Sequence, residues 1–110
     1  MTLIRIKALS VNKAWCGRRF KTEDYENYEQ ELFYLLPKTL KIPKGKIKLE
    51  IIFGFSSRGQ DIDSSLKPTI DILQKRYLFN DNRIYKLEVE KVIVKKGSEY
   101  ISFTIEEIIK

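Results

Sequence analysis

The sequence predicts a single α/β layer fold of the α+β kind, in which two helices pack on a mixed sheet in the order β-α-β-α-β-β. Apolar residues alternate with polar ones in four segments, whereas in two other segments they recur at helical spacing. A chain of 110 residues with 43% hydrophobic content matches one domain with its own core, so we expect residues 1–110 to form one unit.

The alternation places the strands. The four predicted strands are Leu3–Leu9, Ile47–Phe55, Tyr85–Val94 and Tyr100–Glu107. The strand from Ile47 has the clearest signal, because every second residue in it is apolar. The last two strands flank Lys95–Glu99, a short glycine-containing segment that is typical of a β-hairpin turn.

Capping signals place the two helices. Thr22 is a good N-cap and Pro37 stops a helix, so the first helix is predicted over Glu23–Leu36. Pro68 fits only the first turn of a helix, so Ser64 or Ser65 is the predicted N-cap of the second helix, which should end near Lys75 or Arg76.

The charge balance favours a polyanionic partner and narrows the chemistry. There are 21 Lys and Arg against 15 Asp and Glu, a formal net charge of +6. Histidine is absent, which excludes His-based triads and removes the commonest zinc ligand. The single cysteine, Cys16, excludes an internal disulfide.

No apolar run reaches membrane-spanning length and no signal peptide is recognisable, so we expect a cytoplasmic protein with no membrane partner.

Acidic residues and a lysine gather around the second predicted helix. Asp61 and Asp63 are two residues apart, so in an extended segment both carboxylates would point to one side. Lys67 and Asp71 are four apart and would share one helical face. Asp81 follows the next apolar run. Carboxylates with a nearby ammonium suit a hard cation that handles phosphate, so the sequence predicts a Mg²⁺ site here.

The same residues also allow a purely structural interpretation. Asp63 or a neighbouring serine could cap the helix, and Lys67 with Asp71 could form a surface ion pair worth a few tenths of a kcal/mol. The acid-x-acid spacing alone does not decide between the two interpretations.

Basic segments supply candidate nucleic-acid contacts. Ser10–Lys21 breaks the periodicity and mixes cations with Trp15, as a loop that follows a phosphate backbone does; the alternative is a solvated loop with Trp15 in the core. The predicted DNA-binding residues are Asn12, Lys13, Arg18, Arg19, Lys21 and Arg58. Secondary candidates are Lys41, Lys44 and Lys46.

This arrangement resembles the RusA family of Holliday-junction resolvases, and the resemblance covers nearly the whole chain. The residues that carry it are Asp61, Asp63, Lys67, Asp71 and the Asp81 of F-N-D-N-R-I, with the basic loop and the terminal strand pair. Two positions depart from the family pattern: Ser64 stands where members often carry asparagine, and Asn80 stands where some carry a second acid.

The resemblance implies a dimeric, Mg²⁺-dependent endodeoxyribonuclease that resolves four-way DNA junctions by paired symmetric cuts. It assigns the metal to Asp61, Asp63 and Asp81 and a role at the phosphate to Lys67, with Mn²⁺ expected to replace Mg²⁺ and Asp71 as a secondary candidate. An isologous dimer suits the approximate two-fold symmetry of a junction.

Two questions stay open at this point. A helix of the predicted length spans about 18 Å, and the segment from Tyr77 to Asp81 can reach back only about 16–18 Å. The site is therefore completed either by the chain's own Asp81 or by that of a partner. The function could also be a non-catalytic nucleic-acid-binding module, although clustered carboxylates repel phosphate, or a less selective magnesium nuclease on the same scaffold.

Overall fold

The computed structural model describes the backbone of residues 1–10, 15–16 and 20–109, and the side chains of residues 1–10 and 21–109. The strands in this part of the chain are β1 (Thr2–Ile4), β2 (Trp15–Cys16), β3 (Phe20–Lys21), β4 (Ile47–Phe55), β5 (Ile84–Ile93) and β6 (Tyr100–Glu107). The α-helices there are α1 (Glu23–Leu35) and α2 (Leu66–Tyr77), and a 3-10 turn covers Asp81–Arg83. None of the helices in these ranges is long and apolar enough to cross a membrane.

The main sheet has four strands in the order β1-β6-β4-β5. β5 runs parallel to β4, whereas β6 is antiparallel to both β4 and β1, so the sheet is mixed as predicted. β2 and β3 form a separate two-stranded ribbon within the segment predicted to be a loop. The predicted fold class, one α+β domain with a mixed sheet and two helices, is confirmed.

The predicted hairpin between the last two strands is wrong. β5 and β6 lie on opposite sides of β4, which pairs with both along its length. β4 carries the most deeply buried side chains of the sheet, and both Ile47 and Phe53 are 0% exposed. This burial fits a central strand, which has a neighbouring strand along each edge. The segment 94–99 therefore crosses the end of one intervening strand, a span of about 10 Å, rather than making a tight turn.

Both helices begin where the capping signals predict. The Thr22 hydroxyl accepts a hydrogen bond from the Tyr25 N–H at 3.1 Å, and α1 ends at Leu35, shortly before Pro37. α2 begins at Leu66 with Ser65 in the N-cap position and Pro68 in its first turn. Leu78 then ends α2 in a left-handed conformation, φ 56°, and reverses the chain direction towards the 3-10 turn.

The core lies between the helices and the sheet. Tyr25, Tyr28 and Leu32 of α1 are buried, which agrees with the prediction that the two tyrosines belong to the core. The Tyr28 hydroxyl is 3.0 Å from Thr69 Oγ1 in a buried hydrogen bond that joins the two helices, and burial raises the pKa of Tyr28. Ladder pairing of the first strand ends at Ile4, although Ile6 and Ala8 continue the buried alternation.

Candidate active site

The connection between β4 and α2 places Asp61 and Asp63 in a turn. Asp61 O accepts hydrogen bonds from the Ser64 N–H at 3.1 Å and from the Ser64 hydroxyl at 2.8 Å. The extended geometry expected from the two-residue spacing is therefore wrong, because these bonds close the chain into a turn. Both acidic residues are exposed, immediately before the first turn of α2.

Several hydrogen bonds fix this acid turn, defined as residues 58–64, to its surroundings. Gln60 Nε2 donates to the buried Ser65 hydroxyl at 3.1 Å, and the Leu66 N–H donates to Asp63 O at 3.2 Å. The Lys91 ammonium, which comes from β5, donates to Gln60 O at 2.7 Å and to Arg58 O at 3.1 Å. The turn is thus held by both the helix and the sheet.

Lys67 and Asp71 share one face of α2, as predicted from their spacing. Lys67 Nζ lies 3.6 Å from Asp71 Oδ1, and the Lys67 side chain is 71% exposed. A pair this exposed contributes little to stability, and the Lys67 ammonium is accessible from solvent. Asp71 also acts on α1: burial, followed by the charges of Asp71 and Glu29, raises the pKa of Tyr25 to about 12.

Asp81 lies at the opposite end of α2 from the acid turn. Its N–H donates to Gln74 Oε1 at 2.9 Å, and Asn80 Oδ1 accepts from the Asn82 N–H at 3.0 Å to cap the 3-10 turn. Asp81 is exposed and borders a shallow cavity of about 280 Å³. The other residues of this cavity are Ile70, Ile84, Tyr85, Lys86 and Leu87.

The two ends of α2 are too far apart for one cation to bridge within a protomer. Asp63 is bonded to Leu66 and Asp81 to Gln74, and the helical rise between Leu66 and Gln74 is about 12 Å. Mg²⁺–oxygen distances are about 2.1 Å, far less than this separation allows. Accordingly, the residues that the structure describes contain no group of three or more His, Cys, Asp or Glu side chains that could hold a metal ion together.

The chemistry of the acid turn nevertheless fits a hard cation. Mg²⁺ takes oxygen ligands and commonly binds through one or two carboxylates, with water and substrate phosphate in the other positions. Asp61 and Asp63 supply two exposed carboxylates two residues apart in the chain. The donor set therefore suits Mg²⁺ or Mn²⁺ rather than zinc.

The structure describes only some of the predicted DNA contacts. Arg58 is exposed at the start of the acid turn. Lys21 lies 3.1 Å from Glu29 and 4.9 Å above the Tyr25 ring, so its charge is partly compensated. Lys41, Lys44 and Lys46 are exposed, whereas Asn12, Lys13, Arg18 and Arg19 lie outside the described residues.

Glu29 of α1 contacts two lysines, Lys75 of α2 and Lys21 of β3. It lies 3.1 Å from Lys21 and 2.7 Å from Lys75. Burial raises the pKa of Glu29, but the hydrogen bonds from Lys75 and Lys21 outweigh burial and lower the pKa below its usual range. Sequence spacing could not have revealed this contact, because Lys75 is remote from Glu29 in the chain.

A cleft of about 570 Å³ lies beside the acid turn and was missed by the sequence reasoning. Lys7, Ser10, Asp24, Ser56 and Gln60 are among its lining residues. Gln60 belongs to the acid turn, so the cleft adjoins the segment that carries Asp61 and Asp63.

Exposed carboxylates before a helix, with a lysine in its first turn and a basic net charge, suit an enzyme that hydrolyses nucleic-acid phosphodiesters, which is the class of nucleases. The family comparison agrees with this class. The family model described as endodeoxyribonuclease RusA matches residues 7–104 of the 110-residue chain. The chain therefore belongs to the RusA family, and membership implies a nuclease of the Holliday-junction-resolving kind. No curated protein compared with the chain matches it.

Proposed function

We propose that the protein is a Mg²⁺-dependent, homodimeric endodeoxyribonuclease that resolves four-way DNA junctions by paired symmetric cuts. The single observation that carries the proposal is the exposed, rigidly held turn with Asp61 and Asp63, within a chain that belongs to the RusA family. A module that only binds DNA would gain nothing from two exposed carboxylates at this position, since they repel phosphate.

Each residue of the proposed site has a separate task. Asp61, Asp63 and Asp81 hold the cation, which when bound stabilises charge on the phosphodiester and lowers the pKa of bound water. Lys67, exposed in the first turn of α2, places its ammonium against the developing negative charge of the phosphate. Asp71, 3.6 Å from that ammonium, limits its range of positions.

The third acid comes from the other subunit in this proposal. The length of α2 keeps Asp81 away from the acid turn of its own chain. In a dimer, Asp81 of one subunit can instead lie beside the acid turn of the other. Within the described part of the chain, nothing pairs with the outer edge of β5, and a long uncovered strand edge is a natural site of association. Large apolar side chains are exposed along it, with Tyr85 at 64%, Leu87 at 41% and Ile93 at 41%.

The two ends of β5 carry the two parts of the site. Asp81 lies just before Ile84 at the start of the strand, and Lys91 near its end is bonded to the acid turn. In an isologous association across this edge the two strands run antiparallel, so the start of one faces the end of the other. The partner's Asp81 then lies near Asp61 and Asp63, and the dimer has two equivalent sites.

Cleavage of labelled substrates tests the proposed function. Four-way junction, linear duplex and single strand are each incubated with the protein in Mg²⁺, in Mn²⁺ and in EDTA, with Asp61→Asn as the matched inactive variant. We expect symmetric cuts in the junction only when a divalent cation is present. Cleavage that persists in EDTA contradicts the metal mechanism. Equal cutting of duplex favours the less selective nuclease, and binding without cutting favours the non-catalytic module.

A further inference from the structure

Lys91 makes an unusual contact for a residue on an edge strand. Its ammonium leaves β5 and donates to two backbone carbonyls of the acid turn, Gln60 O at 2.7 Å and Arg58 O at 3.1 Å. Both lengths fall in the range of good hydrogen bonds, and a bond to a charged donor is stronger than one between neutral groups. Lys91 therefore ties the turn to the sheet.

The position of these carbonyls matters for Asp61. The C=O of Gln60 and the N–H of Asp61 belong to the same planar peptide unit, so an interaction that fixes the carbonyl also fixes the orientation of that plane. The Asp61 side chain leaves the backbone at the next atom. A rotation of this peptide unit would therefore redirect the Asp61 carboxylate.

The peptide unit on the other side of Asp61 is fixed as well. Asp61 O accepts the N–H of Ser64 at 3.1 Å and its hydroxyl at 2.8 Å. The two soft backbone dihedrals of Asp61 thus lie between two held planes, one held by Lys91 and one by Ser64. Ligands for Mg²⁺ must lie near ideal octahedral positions, so such rigidity improves binding.

We infer that Lys91 is a positioning residue for metal binding, which acts by fixing the peptide unit that precedes Asp61. This inference rests on the proposed function, since it assigns Asp61 to the cation. Lysine carries only donors and is no ligand itself. Loss of a group that orients a metal ligand typically costs about 10–100-fold in metal affinity or activity, and we expect that range for removal of the Lys91 ammonium.

The test compares Lys91→Met with wild type, with Lys91→Arg as the variant that keeps a donor, and with Lys96→Met as a charge-matched control on an exposed lysine. Mn²⁺ binding is titrated by the paramagnetic resonance of free Mn²⁺, without DNA. The Mg²⁺ concentration for half-maximal junction cleavage, the melting temperature and the mass in solution are measured in parallel. A raised Mn²⁺ dissociation constant by about 10–100-fold in Lys91→Met, partly restored in Lys91→Arg and unchanged in Lys96→Met, supports the inference.

A lower melting temperature with unchanged Mn²⁺ affinity overturns it, because Lys91 is then only structural. If Lys91→Met does not fold, Lys91→Gln decides, since it keeps a polar side chain but removes the charged donor from the peptide unit before Asp61: unchanged Mn²⁺ affinity in that variant overturns the inference. Failure of the proposed function looks different. In that case wild type itself shows no Mn²⁺ binding and cuts equally well in EDTA.

Discussion

Replacing Lys67 distinguishes a catalytic role of this residue from a structural one, because the two roles predict different losses of cleavage rate and of stability. Its only described partner is Asp71 at 3.6 Å, and its side chain is 71% exposed. Exposed pairs four residues apart on a helix contribute about 0.3–0.5 kcal/mol, so Lys67→Ala should lower the melting temperature by about 2 °C. If the ammonium stabilises charge in the transition state, its loss should slow cleavage by about 10²–10³-fold.

Single-turnover cleavage of a four-way junction at saturating enzyme measures the second effect, and thermal unfolding measures the first. Asp71→Asn is the matched control, because it removes the ion pair but keeps the ammonium, and we expect its cleavage rate to stay within a few-fold of wild type. A normal rate for Lys67→Ala together with a small melting shift would refute the catalytic role. Parallel loss of rate in both variants would mean that the pair, not the ammonium alone, matters.

Three further predictions concern DNA binding, pH and packing. Arg18→Ala and Arg19→Ala should each flatten the slope of log affinity against log salt by about 0.9, and an unchanged slope removes that residue from the interface. The lowered pKa of Glu29 stabilises the fold above the ordinary carboxyl pKa, and this contribution is lost as pH falls through the folded-state pKa. Glu29→Gln should therefore lower the melting temperature at pH 7 but much less at about pH 2.5, and equal losses at both would contradict the assignment. A Cβ at Gly54 would overlap the Tyr100 ring, so Gly54→Ala should destabilise by about 1–3 kcal/mol in denaturant unfolding. Gly59→Ala should not, because its Cβ would meet only the Ser57 hydroxyl at an ordinary contact distance of 3.8 Å.

Local signals predicted the elements well. The bounds of β4 and β6 match the prediction, and α1 and α2 begin within two residues of their predicted starts, because apolar period, N-caps and proline act over a few residues. Pairing could not be predicted in the same way. The predicted hairpin was wrong because β4, which precedes both strands in the sequence, lies between β5 and β6 in the sheet.

The sequence predicted part of the placement of the candidate site residues. Asp61, Asp63 and Lys67 lie around one helix start, as their spacing indicated, although a turn replaces the expected extended segment. Lys91 gave no signal, because its contact with Gln60 is tertiary and one lysine among many on an exposed strand is not distinctive. The position of Asp81 depends on helix length and on how the chain returns after Leu78, and sequence left this question open.

Mixing two inactive variants tests most directly whether the site is shared between subunits. In the proposed dimer a heterodimer of Asp61→Asn and Asp81→Asn has one site that lacks both acids and one that is intact. Half of the sites in the purified heterodimer are therefore intact. A mixture of Asp61→Asn with Asp63→Asn is the matched control, because every site in it lacks one acid.

The variants are co-expressed with different affinity tags, and doubly purified heterodimers are assayed for nicking of a labelled junction in Mg²⁺. Each variant alone and the control mixture should be inactive, whereas the Asp61→Asn and Asp81→Asn heterodimer should nick one strand per junction. An inactive heterodimer would contradict the shared site, because Asp81 would then not complete the site of the other subunit.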